Sequence, residues 1–131
     1  MRRILTRMTM NSTISNYFRA LSDLDREGYL ACFAPDATVM DPYGGRPLHG
    51  TDGLNKFMDG MERTWVAFEM VPGEAFAAGD RVAVSWKAKA TAKSGKTAEF
   101  AGINVFTLNE DGLITQLEGY WDFKAMVAQI Q

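Results

Sequence analysis

A chain of 131 residues, 47% apolar and 23% charged, is sized for one hydrophobic core, and its balance excludes both a disordered chain and a membrane protein. A formal charge of −2 offers no basic face to a nucleic acid. One cysteine, Cys32, precludes an internal disulfide and points to a reducing, cytoplasmic setting, and one histidine, His49, leaves too few ligands for a His/Cys metal cluster.

The opening Met1-Arg2-Arg3-Ile4-Leu5-Thr6-Arg7 is basic but is broken by Arg7 before a signal-peptide core can form. Residues 1–10 are therefore expected to be a loose leader, and residues 11–131 a single domain. No later run approaches the roughly 20 apolar residues of a membrane span.

From Asn11 onward Ile14, Tyr17, Phe18, Leu21 and Leu24 recur at helical spacing, with Asn11 or Ser12 as cap. Asp25 is placed to cap a second, short helix carrying Tyr29, Leu30, Cys32 and Phe33, which Pro35 should stop. Ala37–Asp41 reads as a strand ended by Pro42-Tyr43-Gly44-Gly45. Thr51 is expected to cap a third helix whose Leu54, Phe57, Met58, Met61 and Trp65 share a face.

After Trp65 the period changes to two. Strands are expected over 66–71, 75–78, 81–92, 97–108 and 113–121, separated by Pro72-Gly73, Gly79-Asp80, Ser94-Gly95 and Asp111-Gly112. Helices followed by an antiparallel meander describe an α+β domain with the helices on one face of a curved sheet. Within 97–108 both parities are largely apolar, so this strand is expected to be central and covered on both sides. A four-residue turn at 109–112 would pair Leu108 with Leu113, Asn104 with Leu117 and Phe100 with Trp121. Asn104, Phe100, Leu117 and Trp121 would then share an aromatic-walled face suited to a ligand.

Asp41 ends an apolar strand where a carboxyl can project into a cleft, and desolvation there would raise its pKa and strengthen it as a base. An exposed aspartate in an Asp-Pro turn is the plainer alternative. Tyr17 lies mid-stripe and could equally be a core tyrosine bonded to a backbone carbonyl. Asn104, on a buried face, must find hydrogen-bond partners. His49 suits a loop rim, and Trp65, Trp86 and Trp121 suit core or pocket wall. No glycine-rich nucleotide loop and no serine elbow occur in the sequence.

The segment Ala37-Thr38-Val39-Met40-Asp41-Pro42-Tyr43-Gly44-Gly45-Arg46-Pro47-Leu48-His49-Gly50 resembles the stretch of bacterial ketosteroid isomerases that holds the catalytic aspartate. Tyr17 precedes Asp41 by the separation of that family's oxyanion-binding tyrosine. Ile103-Asn104-Val105-Phe106, Gly112-Leu113-Ile114 and Gly119-Tyr120-Trp121 are similar to its last two strands. The helix-then-meander pattern is shared by the wider nuclear-transport-factor-2-like superfamily, which includes polyketide cyclases and epoxide hydrolases.

The resemblance implies a cystatin-like, cone-shaped α+β domain in which a curved antiparallel or mixed sheet wraps three N-terminal helices, paired as a homodimer. It implies cofactor-independent chemistry on an apolar small molecule, with no nucleic acid and no membrane as partner. Asp41 would be the base, and Tyr17 with Asn104 would hold the oxyanion. Asn104 stands where the family has a protonated acid, and Phe33 and Met58 stand where one branch has further tyrosines. Phe33, Met58, Phe100, Leu117 and Trp121 are the expected substrate-binding residues. A polyketide-cyclase-like enzyme using the same aspartate and a non-catalytic small-molecule or protein-binding domain are the alternatives.

Overall fold

The computed structural model describes residues 11–131, so the expected leader lies outside the described residues. The chain forms α1 (Ser12–Ser22), α2 (Arg26–Leu30), β1 (Phe33–Met40), β2 (Leu48–His49), α3 (Gly50–Thr64), β3 (Trp65–Ala78), β4 (Arg81–Ala92), β5 (Thr97–Leu108), β6 (Ile114–Tyr120) and α4 (Phe123–Ile130). The six strands make one mixed, curved sheet in the order β2-β1-β6-β5-β4-β3, with β1 parallel to β6 and the other pairs antiparallel. This is the α+β, cone-shaped architecture expected, with the helices wrapped by the sheet. Among the described residues no helix is long and apolar enough to cross a membrane.

The helical stripes are where the spacing put them. Asn11 caps α1 by accepting from the Ile14 N–H at 2.9 Å, and Ile14, Tyr17, Phe18 and Leu21 are buried along it. Asp25 caps α2 through the Gly28 N–H at 3.0 Å. That helix stops at Leu30, however, and the chain is extended from Phe33, earlier than expected. Pro35 falls inside β1, where the pairing with β6 shifts register between Phe33 and Thr38, so its missing N–H interrupts no regular ladder. At α3 the cap position is His49, without a side-chain cap bond, and Thr51 lies within the helix.

Two expected strands on either side of Pro72-Gly73 are one strand, β3, that carries a bulge between Pro72 and Ala75. Ser85 on the neighbouring strand explains why the pair does not turn the chain. Its hydroxyl accepts the Glu74 N–H at 3.0 Å and fills the space a side chain at Gly73 would take. Trp65 opens β3 rather than ending the helix.

β5 is central, but only one of its faces is covered. Ala98, Asn104 and Phe106 are buried, while Ile103 on the opposite face is 47% exposed. All the helices pack on the concave side, so the outer side keeps an apolar surface. The β5–β6 register also differs from expectation. Asn104 pairs with Gly119 and Phe106 with Leu117, because a bulge after Thr107 and the 109–113 turn displace the partners by two residues. An even displacement leaves every side chain on its original face.

α4 was not expected. Its signal was present in Asp122, whose side chain caps the Ala125 N–H at 2.9 Å, followed by Phe123, Met126, Val127 and Ile130 at helical spacing. Gln129 fastens this helix to β5, accepting from the Glu99 N–H at 2.8 Å and donating to the Glu99 carbonyl at 3.0 Å. β6 pairs β5 only from Ile103 onward, and the Gln129 amide satisfies the edge that it leaves.

Candidate active site

The interior between α1, α3, α4 and the concave sheet holds a cavity of about 280 Å3. Its walls are dominated by aromatic rings, among them Trp65, Phe68, Trp86, Phe100 and Trp121. Phe100 is stacked between Trp65 (24°) and Trp121 (29°), so the three rings form one aromatic stack along the cavity. Only Asp41 and Lys56 among the lining residues are charged, and Lys56 is exposed.

Asp41 follows β1 directly, half-buried, and lines the cavity. The Trp121 indole N–H donates to its Oδ1 at 2.5 Å, and among the described residues no protein group donates to Oδ2. Burial raises the Asp41 pKa above the ordinary carboxylate value, and the Trp121 hydrogen bond offsets part of that rise. The carboxyl lies over Gly119 on β6, where a side-chain carbon would strike Asp41 Oδ1 and come within 3.1 Å of Asn104 Oδ1. Gly119 is thus a site residue that the composition of the strand did not flag.

Tyr17 is fully buried in α1 and lines the same cavity. Burial pushes its phenol well above the ordinary tyrosine value, and the nearby Asp41 charge adds to this. Among the described residues its hydroxyl reaches no backbone carbonyl, and it accepts a hydrogen bond from Asn104 Nδ2 at 3.3 Å. Asn104 Oδ1 in turn accepts from the Trp86 indole N–H at 2.9 Å. Asp41, Tyr17 and Asn104, far apart in the chain, are therefore brought together, though with unequal access. Asn104, as fully buried as Tyr17, is not among the residues lining the cavity and bonds to two that are, Tyr17 and Trp86.

Of the expected substrate-binding residues, Phe100 and Trp121 line the cavity. Phe33, Met58 and Leu117 do not; they are core residues. Phe33 packs against Tyr29 and Tyr17, and Leu117 lies beside Phe106 on the neighbouring strand, itself a core residue. Phe123 and Met126 complete the wall from α4. His49 sits on the rim of the fold, exposed, 3.4 Å from Thr38 Oγ1.

Residues 14–117 match the SnoaL-like domain family, whose fold this is. The chain belongs to the SnoaL-like family. The match covers most of the domain and takes in Tyr17, Asp41 and Asn104. Among SnoaL-like relatives, the chain is 33% identical over 110 residues to epoxide hydrolase LasB of Streptomyces lasalocidi. That alignment takes 80% of this chain but only 38% of LasB. The steroid Delta-isomerase of Nocardioides simplex is 25% identical over 112 residues, covering 86% of this chain and 89% of that enzyme. A Mycobacterium tuberculosis protein solved with estradiol-17β-hemisuccinate superposes with a TM-score of 0.76 at 25% identity, covering 86% and 93% of the two chains.

Proposed function

We propose that the cavity is the active site of a cofactor-independent, ketosteroid-isomerase-like enzyme that moves a C=C bond in a steroid or a comparably flat apolar ketone. The observation that carries this reading is a desolvated carboxyl and a phenol, Asp41 and Tyr17, facing one aromatic-walled cavity. Asp41 removes the proton from the carbon between a carbonyl and an isolated double bond through Oδ2, the oxygen that Trp121 leaves open. The electrons of the broken C–H bond form a dienolate, and Tyr17 donates a hydrogen bond to its oxygen. The protonated Asp41 then returns the proton at the far carbon of the conjugated system, which restores the carbonyl and leaves base and substrate composition unchanged. The predominantly aromatic lining, with Trp65, Phe100 and Trp121 among it, favours an apolar, ring-containing ligand.

The test is the appearance of conjugated-enone absorbance from a β,γ-unsaturated ketosteroid. Wild type should exceed the Asp41→Asn variant by at least about a hundredfold, the lower range for a positioned general base. Equal, slow rates would remove the catalytic claim.

A second reading is favoured by the higher identity to LasB: the same carboxyl assists ring-forming chemistry on a polyketide. Asp41-dependent turnover of a polyketide epoxide, with no turnover of the ketosteroid, would select it. Tight binding of a phenolic steroid without turnover of either substrate would instead select a binding protein.

Pairing as a homodimer belongs to the same proposal. Phe76, Ile103 and Tyr120 are 66%, 47% and 44% exposed on the outer face of the sheet, and Tyr43 stacks on Tyr120 beside them. This apolar surface is suited to a second copy of the chain.

A further inference from the structure

We propose that Trp86 is a positioning residue: its indole N–H fixes the Asn104 amide, and through it turns the Tyr17 hydroxyl proton toward the ligand oxygen. The proposal rests on the reading of the cavity as a proton-transfer site, and it changes the part Asn104 plays there.

An indole has a donor and no acceptor. The Asn104 atom 2.9 Å from Trp86 Nε1 must therefore be the carbonyl oxygen, which resolves the two-fold ambiguity of an amide. The NH2 end then faces the Tyr17 oxygen at 3.3 Å, and an NH2 can only donate. A hydroxyl that accepts this bond keeps its own proton for another partner. Among the described residues Tyr17 donates to no protein acceptor, and its side chain lines the cavity. The acceptor it is set up for is an oxygen of the bound molecule.

The reversed amide would close this path. It would place N–H against N–H at Trp86, and Oδ1 would take the Tyr17 proton for itself. Asn104, off the cavity wall, thus acts through Tyr17 rather than on the oxyanion. Trp86 is held for its part by Gly102, its direct partner on β5. A side-chain carbon at that position would lie 2.7 Å from Trp86 Cζ2 and 2.8 Å from Trp121 Cβ. The same carbon would strike the Tyr120 carbonyl oxygen, so position 102 admits only glycine beside the indole and the β6 backbone.

The orientation is read first without ligand, by NMR. In wild type the Asn104 side-chain NH2 should show stronger cross-peaks to the Tyr17 ring than to the Trp86 indole proton; the reverse pattern overturns the proposal. The consequence is read from the carbonyl stretch of bound testosterone, a conjugated enone, and from turnover. Trp86→Phe should lose most of the wild-type red shift. It should lower kcat about ten- to a hundredfold, short of the loss on removing an oxyanion donor outright.

Because Trp86 is also a core residue, benzothienylalanine at position 86 provides a second variant that keeps the ring shape and deletes the N–H. If this variant keeps both the wild-type stretch and the wild-type rate, the positioning role is overturned. Asn104→Asp in the Trp86→Phe background should restore the red shift at low pH only, because a protonated carboxyl can rotate its own proton toward Tyr17. If wild type neither binds nor turns over enones, the isomerase reading fails on its own. The NMR pattern in the two position-86 variants then still decides the positioning claim, which predicts a mixed amide orientation in both.

Discussion

Trp121 donates its indole N–H to Asp41 Oδ1 at 2.5 Å while packing its ring nearly parallel to Phe100 on the cavity wall. One side chain therefore both removes water from the carboxylate and partly compensates that removal. Burial raises the Asp41 pKa and the hydrogen bond lowers it, so deleting the N–H should raise it further. With benzothienylalanine at position 121, which keeps the ring and its desolvation but deletes the N–H, the acid limb of the kcat/KM profile should move to higher pH. An unmoved limb would show that the bond does not bear on the base.

Asp41 should also limit stability. Its folded-state pKa lies above the unfolded value, so charging it favours the unfolded chain. The folded form is relatively more stable below the unfolded carboxylate value, near pH 4. That advantage is lost as pH rises through the folded pKa. Asp41→Asn should therefore raise Tm at pH 7, and the difference should vanish near pH 3. A variant less stable than wild type at pH 7 contradicts this account.

Gly119→Ala places a methyl carbon in clash with the Asp41 carboxyl and 3.1 Å from Asn104 Oδ1, so the first must move and the second must give slightly. The expected cost is about 1–3 kcal/mol of stability, typical of overpacking. Because the displaced groups are the base and the partner of Tyr17, turnover of the ketosteroid should fall well beyond the fraction unfolded. Wild-type turnover in a folded Gly119→Ala protein would count against the site.

Tyr29 is fully buried, and among the described residues its hydroxyl has no hydrogen-bond partner. Its ring stacks on Phe57 and packs against Phe33. Tyr29→Phe keeps these contacts and removes an unsatisfied polar atom, which should stabilise the fold by about 1–3 kcal/mol. A lowered Tm in thermal denaturation would reveal a partner for that hydroxyl.

Phe76 is 66% exposed on the outer sheet face. If that face pairs two copies, wild type should elute as a dimer in size-exclusion chromatography at micromolar concentration and Phe76→Asp as a monomer. A monomeric wild type removes the pairing proposal.

Several of these relationships were legible in the chain. Tyr17 sat on a buried helical stripe, Asp41 at the end of an apolar strand, and Asn104 on the even face of β5, and each is found on its expected face. The β5–β6 partners were misassigned by two residues, yet the faces survived because side-chain direction alternates with a period of two. Phe33, Met58 and Leu117 were placed in the site but are core, because spacing reports which face is buried and not which layer lines a cavity. Pro72-Gly73 carried a turn signal, but Ser85 across the sheet decided for a bulge.

By itself the sequence determined the alternation of elements, their buried faces and the polar groups held inside them, since these follow from local periodicity and from the chemistry of each residue. Only the tertiary structure decided that Trp86 reaches Asn104 and Asn104 reaches Tyr17, that Trp121 holds Asp41, and that α4 closes the wall. Those contacts join residues tens of positions apart. They depend on strand register, bulges and close approaches that only a glycine admits, which no local pattern encodes.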